Sequence, residues 1–115
     1  MPITIYHNPK CWTSRKVLET LEARGAKPKV IEYLKDPPDR KTLQALLQAM
    51  RMEPRDLLRR RGTPYDELDL DNPAHTRDKL IDAMLQHPIL IERPIVVTDK
   101  GTRLCRPPER LEEIL

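Results

Sequence analysis

The chain has 115 residues, 38 % of them hydrophobic and 34 % charged, the composition of one globular domain with room for a single core. A formal net charge of +3, with Lys and Arg interspersed among Asp and Glu, offers no basic tract that argues for nucleic acid. No apolar run is long enough to cross a bilayer, and the N-terminus leads straight into a strand pattern. A cytoplasmic protein without membrane association is therefore expected.

The first element is Ile3-Thr4-Ile5-Tyr6, a β-branched and aromatic strand pattern, broken at His7-Asn8-Pro9. Thr13 and Ser14 then read as helix caps, which places Cys11 in a strand-to-helix loop. Unpaired N–H groups at a helix start favour an anion there, and His7, Lys10 and Arg15 add positive or potentially positive charge nearby. Both effects favour a thiolate, so Cys11 is a candidate reactive cysteine; the alternative is a small buried hydrophobe.

Thr13 to Arg24 carries Val17, Leu18 and Leu21 at helical spacing and stops at Gly25. Lys29 to Leu34 reads as a second strand, parallel to the first if that helix is the crossover. Asp36-Pro37-Pro38-Asp39 opens a helix through Thr42 to Met52, with Leu43, Leu46, Leu47 and Met50 on one face. Glu53 to Arg61 reads as a short helix on Leu57 and Leu58. Its basic end, Arg59-Arg60-Arg61, suits a solvated C-terminus. Thr63 to Leu68 is a capped turn or short helix, and Thr76 to Gln86 a helix turning Leu80, Ile81, Met84 and Leu85 inward.

After an irregular link, His87 to Pro94, comes the strand Ile95-Val96-Val97-Thr98. Asp99-Lys100-Gly101 turns it into an antiparallel partner, Thr102 to Cys105, and Pro107-Pro108 open a last helix, Glu109 to Leu115. The order is β-α-β, a helical middle, then β-β-α. It predicts an α/β, thioredoxin-like domain over residues 1–115, with a small mixed four-stranded sheet and a helical insertion at about 39–87.

Redox sites on that fold commonly carry C-x-x-C, whereas this chain has Cys11-Trp12-Thr13-Ser14. A thiol that resolves an adduct on Cys11 must then come from outside or from Cys105, which its strand pattern assigns to a buried position. No closely spaced cysteine pair and only three His are present, so no metal site is expected. On this fold the Pro before the third strand, Pro94, faces the active-site loop through a cis peptide, which aims Arg93 towards Cys11. Arg106 leaves the far end of the hairpin partner and becomes a neighbour of Arg93. Two guanidinium forks at a thiolate would hold a tetrahedral oxyanion; the alternative is a pair of solvated strand-end arginines.

His7-Asn8-Pro9-Lys10-Cys11, Thr13-Ser14-Arg15, Leu57-Leu58-Arg59, the run from Gln86 to Val97 and the run from Gly101 to Pro107 together resemble the glutaredoxin-coupled arsenate reductases of the ArsC type. The resemblance extends from Thr4 to near the C-terminus. It implies Cys11 as nucleophile, Arg59, Arg93 and Arg106 as the arginines on the arsenate oxyanion, and His7 as the residue favouring the thiolate. Asn8, Thr13, Ser14, Arg15 and Pro94 would support the loop. Glutathione would be the co-substrate, glutaredoxin the protein partner, and a monomer the expected state. The family usually has Gly after the cysteine, where this chain has Trp12. Trp12 motivates a second reading, a glutathione-dependent thiol oxidoreductase with little arsenate activity. A third, a redox regulator of the Spx kind that binds RNA polymerase, ranks below both because the C-x-x-C switch is missing.

Overall fold

The computed structural model describes residues 2–115, which divide into two compact units: one from the N-terminus to Asp36 together with Arg93–Leu115, the other Pro37–Glu92. The first holds a four-stranded mixed sheet. Strand β1 (Thr4–His7) pairs in parallel with β2 (Lys29–Glu32), Thr4 opposite Lys29, because helix α1 (Trp12–Ala23) carries the chain back between them. On its other side β1 is antiparallel to β3 (Ile95–Thr98), with Ile5 opposite Val96. The chain then turns through Asp99-Lys100 into β4 (Gly101–Leu104), giving the order β2-β1-β3-β4.

Strand period two puts Ile3 and Ile5 on one face, and register places Val96 beside Ile5. Val17 and Leu21 from α1 close over them, with Leu111 and Ile114 from a terminal 3-10 helix, Pro108–Ile114. Cys105 lies within the same cluster. Each such aliphatic side chain, fully buried, contributes about 1.5–3 kcal/mol. The terminal 3-10 helix is tied down by Thr98 Oγ1 donating to Ile114 O (2.7 Å), by an Arg24–Glu112 ion pair and by Arg103 Nε on Glu113 (2.9 Å). Gly101 has φ +151°, and a Cβ there would meet Ile114 Cγ2 at 3.2 Å, which explains a glycine at the start of β4.

Boundaries differ from the sequence expectation in places with a physical cause. β2 ends at Glu32 rather than Leu34, because Lys35 N–H and Asp36 N–H both donate to Glu32 O (2.9 Å each) and turn the chain out of the sheet. The last helix is 3-10 rather than α, tightened by Arg110 N–H donating to Pro107 O at 3.1 Å.

In the second unit α2 (Arg40–Met50) is capped by Asp39, whose carboxylate accepts from Thr42 N–H at 2.8 Å, and it ends at Arg51 in the left-handed region (φ 55°). Thr76 caps α4 (Arg77–Gln86) by accepting from Lys79 N–H (3.2 Å). Leu43, Leu46 and Leu47 of α2 and Leu80, Ile81 and Met84 of α4 are buried. The helix expected over Glu53 to Arg61 shrinks to α3 (Pro54–Leu57). Beyond it Leu58 is extended and bridges Ile91. Glu92 N–H donates to Leu57 O (2.9 Å) and Arg59 N–H to Leu90 O (2.7 Å), so these amides leave the helical ladder. Arg59-Arg60-Arg61 is therefore not a helix end. Thr63 to Leu68 forms turns rather than a helix, held by Thr63 Oγ1 donating to the Arg59 and Arg60 carbonyls. Among the described residues no helix is long and apolar enough to cross a membrane.

Replacing Ile5 by Ala should lower the unfolding free energy by about 2–5 kcal/mol, because the buried site cannot fully collapse. Leu34→Ala, at a side chain 40 % exposed, should change it by less than about 0.5 kcal/mol. Urea titration of the two variants measures both values.

Candidate active site

The chain leaves β1 at His7 and enters α1 at Trp12 through a tight turn in which Cys11 N–H donates to Asn8 O (3.0 Å). Pro9 occupies the second position of that turn, where its fixed φ is favourable. Asn8 is buried and its Oδ1 accepts from Lys10 N–H (3.0 Å), while Arg15 Nη1 donates to Pro9 O at 2.9 Å. The N-cap residue is Cys11, extended at φ −94° and ψ 122° and without a side-chain capping bond. Thr13 and Ser14, expected as caps, lie within the first turn instead.

Ser14 is fully buried because its hydroxyl has other partners. Its Oγ accepts from Asn8 N–H (3.0 Å) and lies 2.8 Å from His7 Nδ1. The same oxygen thus holds both the Asn8 amide and the His7 ring, which fixes the imidazole against the loop. Burial lowers the His7 pKa, with Arg15 acting in the same sense and Glu32 and Glu22 opposing. At neutral pH His7 is therefore not one of the positive charges that the sequence pattern suggested around the sulfur. It braces the loop through Ser14.

The positive charge comes from the segments that precede β3 and follow β4. Arg106 follows β4, and its Nη1 lies 3.6 Å from Cys11 Sγ and donates to Arg93 O at 3.1 Å. Arg93 is buried ahead of β3, Arg93-Pro94 is cis as the sequence predicts, and Arg106-Pro107 is cis as well. Pro94 O accepts from Cys105 N–H (2.9 Å), which extends the hairpin towards the two arginines. Burial resists ionisation of Cys11, but the Ser14 backbone N–H, the hydrogen bond and charge of Arg106 and the charge of Arg93 together outweigh it. The Cys11 pKa is lowered as a result.

Arg59, the remaining arginine that the resemblance singles out, lies in the second unit. Its Nη1 meets Glu92 Oε1 at 2.9 Å and its Nε donates to Arg61 O at 3.0 Å. Sequence reasoning missed Glu92. Its partner is far away along the chain, and no local motif marks the pair. Among the described residues no group of three or more His, Cys, Asp or Glu could hold a metal ion.

Cys105 is the internal contrast. It is completely buried, and desolvation pushes its thiol up to about 12. Iodoacetamide should label Cys11 in the native protein while Cys105 reacts only after unfolding, as peptide mass spectrometry across a pH series would show. The two thiols also have opposite linkage. The Cys11 contribution to stability is present above its unfolded pKa near 9 and is lost as pH falls through the lowered folded value; the Cys105 contribution is present below that pKa and is lost as pH rises towards about 12.

The profile described as "ArsC family" matches residues 6–114 of the chain. The arsenate reductase of Escherichia coli (strain K12) is 56 % identical over 113 residues, covering 98 % of this chain and 80 % of that protein. The arsenate reductase of Rhizobium meliloti (strain 1021) is 50 % identical over 115 residues, covering 100 % and 82 %. Among solved structures, the arsenate reductase from Vibrio cholerae superposes with a TM-score of 0.95 at 45 % identity, over 100 % of this chain and 98 % of that one. With a thioredoxin-like mixed sheet, a strand-to-helix cysteine loop and whole-length identity of this order, the chain belongs to the ArsC family.

Proposed function

We propose that the protein reduces arsenate to arsenite at Cys11, with glutathione as co-substrate and glutaredoxin regenerating the thiol. One observation carries the reading: a guanidinium nitrogen 3.6 Å from a half-buried sulfur whose pKa is lowered. A thiolate alone is a general nucleophile. A thiolate with Arg106 and Arg93 beside it attracts a substrate that is itself an anion.

Arsenate binds with its oxygens on Arg93 and Arg106, which offset its charge and hold arsenic in line with the sulfur. Cys11 attacks arsenic, an oxygen leaves as water, and a covalent thiol–arsenate results. A glutathione thiol then attacks this adduct. The two sulfurs together give up two electrons, forming a Cys11–glutathione mixed disulfide; arsenic accepts the pair and departs as arsenite. Glutaredoxin removes the glutathionyl group by thiol–disulfide exchange. This route needs reduced thiols throughout, which suits the cytoplasm. A monomer suffices for it.

His7 acts as a positioning residue. Through Ser14 Oγ it fixes the turn whose N–H group faces the sulfur. Arg59 enters only as what the resemblance implies, a third arginine for the oxyanion, and in the structure its Nη1 is paired with Glu92. A second reading keeps the scaffold and changes the substrate to a glutathionylated or disulfide-bonded thiol. The observation favouring it is Trp12, 63 % exposed where the family has Gly.

The test is turnover with arsenate, glutathione, glutaredoxin and an NADPH-linked recycling system. Cys11→Ser should abolish activity. Arg106→Lys should lower kcat/KM about 100-fold, since a point charge replaces a planar donor fork. Arsenate inert under these conditions, with glutathionylated substrates turned over, would select the second reading.

A further inference from the structure

Helix α1 presents two different sides. Ser14, Val17 and Leu21 are buried. Trp12, Arg15 and Lys16 are exposed, and their spacing of three and four residues places them together on the solvent side of the first turn. Trp12 is the most exposed large hydrophobic residue among those described, at 63 %. Arg15 is anchored by its bond to Pro9 O, so its charge stays over the loop that carries Cys11. Neither Arg15 nor Lys16 has a carboxylate partner among the described residues, whereas Arg24, the C-cap of the same helix, is paired with Glu112. The chain thus leaves an indole and two cations without a carboxylate partner on the helical turn that follows Cys11.

We propose that Trp12, Arg15 and Lys16 form the docking platform for the small anionic thiol, glutathione, that attacks the Cys11 adduct. The inference rests on the reaction proposed above. Cys105, the other thiol, is buried and held protonated, so the attacking sulfur comes from solvent. Trp12 is the next residue in the chain, its Cα about 3.8 Å from that of Cys11. Glutathione carries two carboxylates and one ammonium group, a net negative charge that complements Arg15 and Lys16. Its flat peptide groups can lie on an indole, which offers a large, stiff apolar face. Scale favours a small thiol over a protein as the occupant. A stable protein interface engages about 20–30 residues on each side, and the platform is three side chains. Trp12 is in this view a specificity residue for the reductant and leaves the oxyanion to the arginines.

Trp12 is the single tryptophan, so its fluorescence reports on the platform alone. The non-reactive analogue S-methylglutathione, titrated into the full chain, should change that fluorescence saturably. In steady-state assays Trp12→Ala should raise the KM for glutathione about tenfold, with the KM for arsenate and kcat at saturating glutathione unchanged. Trp12→Phe should restore most of the loss, and the uncharged thiol 2-mercaptoethanol should be indifferent to the substitution. A flat fluorescence titration together with an unchanged glutathione KM would overturn the proposal. So would a Trp12→Ala effect confined to the KM for glutaredoxin, which would assign the indole to a protein contact. If no form of the protein reduces arsenate, the reaction proposed above fails, while the S-methylglutathione titration still decides the platform.

Discussion

The Arg106 guanidinium connects segments that lie at opposite ends of the chain. It reaches from the end of β4 to the Cys11 sulfur at the start of α1 and to the carbonyl of Arg93 ahead of β3. Two hydrogen-bonded directions fix the plane of the group, so its charge is held at the sulfur without the entropy loss of recruiting it for each cycle. The sheet order is what makes this geometry available. With β1 and β4 both paired to β3, the loop after β1 and the chain leaving β4 emerge at the same edge. A one-residue slip in the β3–β4 register would turn Arg106 to the other face.

Around that contact the loop is organised to carry a negative charge. The turn from Asn8 to Cys11 is closed by backbone and Asn8 side-chain bonds, and Ser14 joins it to His7 below. Burial of the sulfur alone would work against the thiolate, and the N–H of Ser14 and the two arginines reverse that tendency. Cys105 shows the result when desolvation outweighs the opposing charges of Arg110 and Arg103, with a thiol that stays protonated through the ordinary pH range.

Much of the fold was legible in the residues. The alternating Ile3 and Ile5, the run Ile95 to Thr98 and the helical spacing of Val17 and Leu21 each identify their element, because a buried face imposes its own period. The pairing of Arg93 with Arg106 followed from hairpin geometry. Other features escaped because their cause is tertiary. Leu58 and Arg59 leave the helix expected of them because their backbone partners, Leu90 and Ile91, are supplied by a distant segment. Ser14 looks like a cap from its neighbours in sequence, but its hydroxyl is taken by His7 and Asn8. The charge state of His7 depends on burial, to which the spacing of cationic residues is blind.

The central claim is that Arg106, acting with the Ser14 N–H and Arg93, lowers the Cys11 pKa by direct contact with the sulfur. Ultraviolet thiolate absorbance, titrated against pH in the native protein and in Arg106→Ala, tests it without assuming a substrate. The account expects an apparent pKa below the ordinary cysteine value in the native protein and a clear rise in the variant. Superimposable titration curves would contradict it.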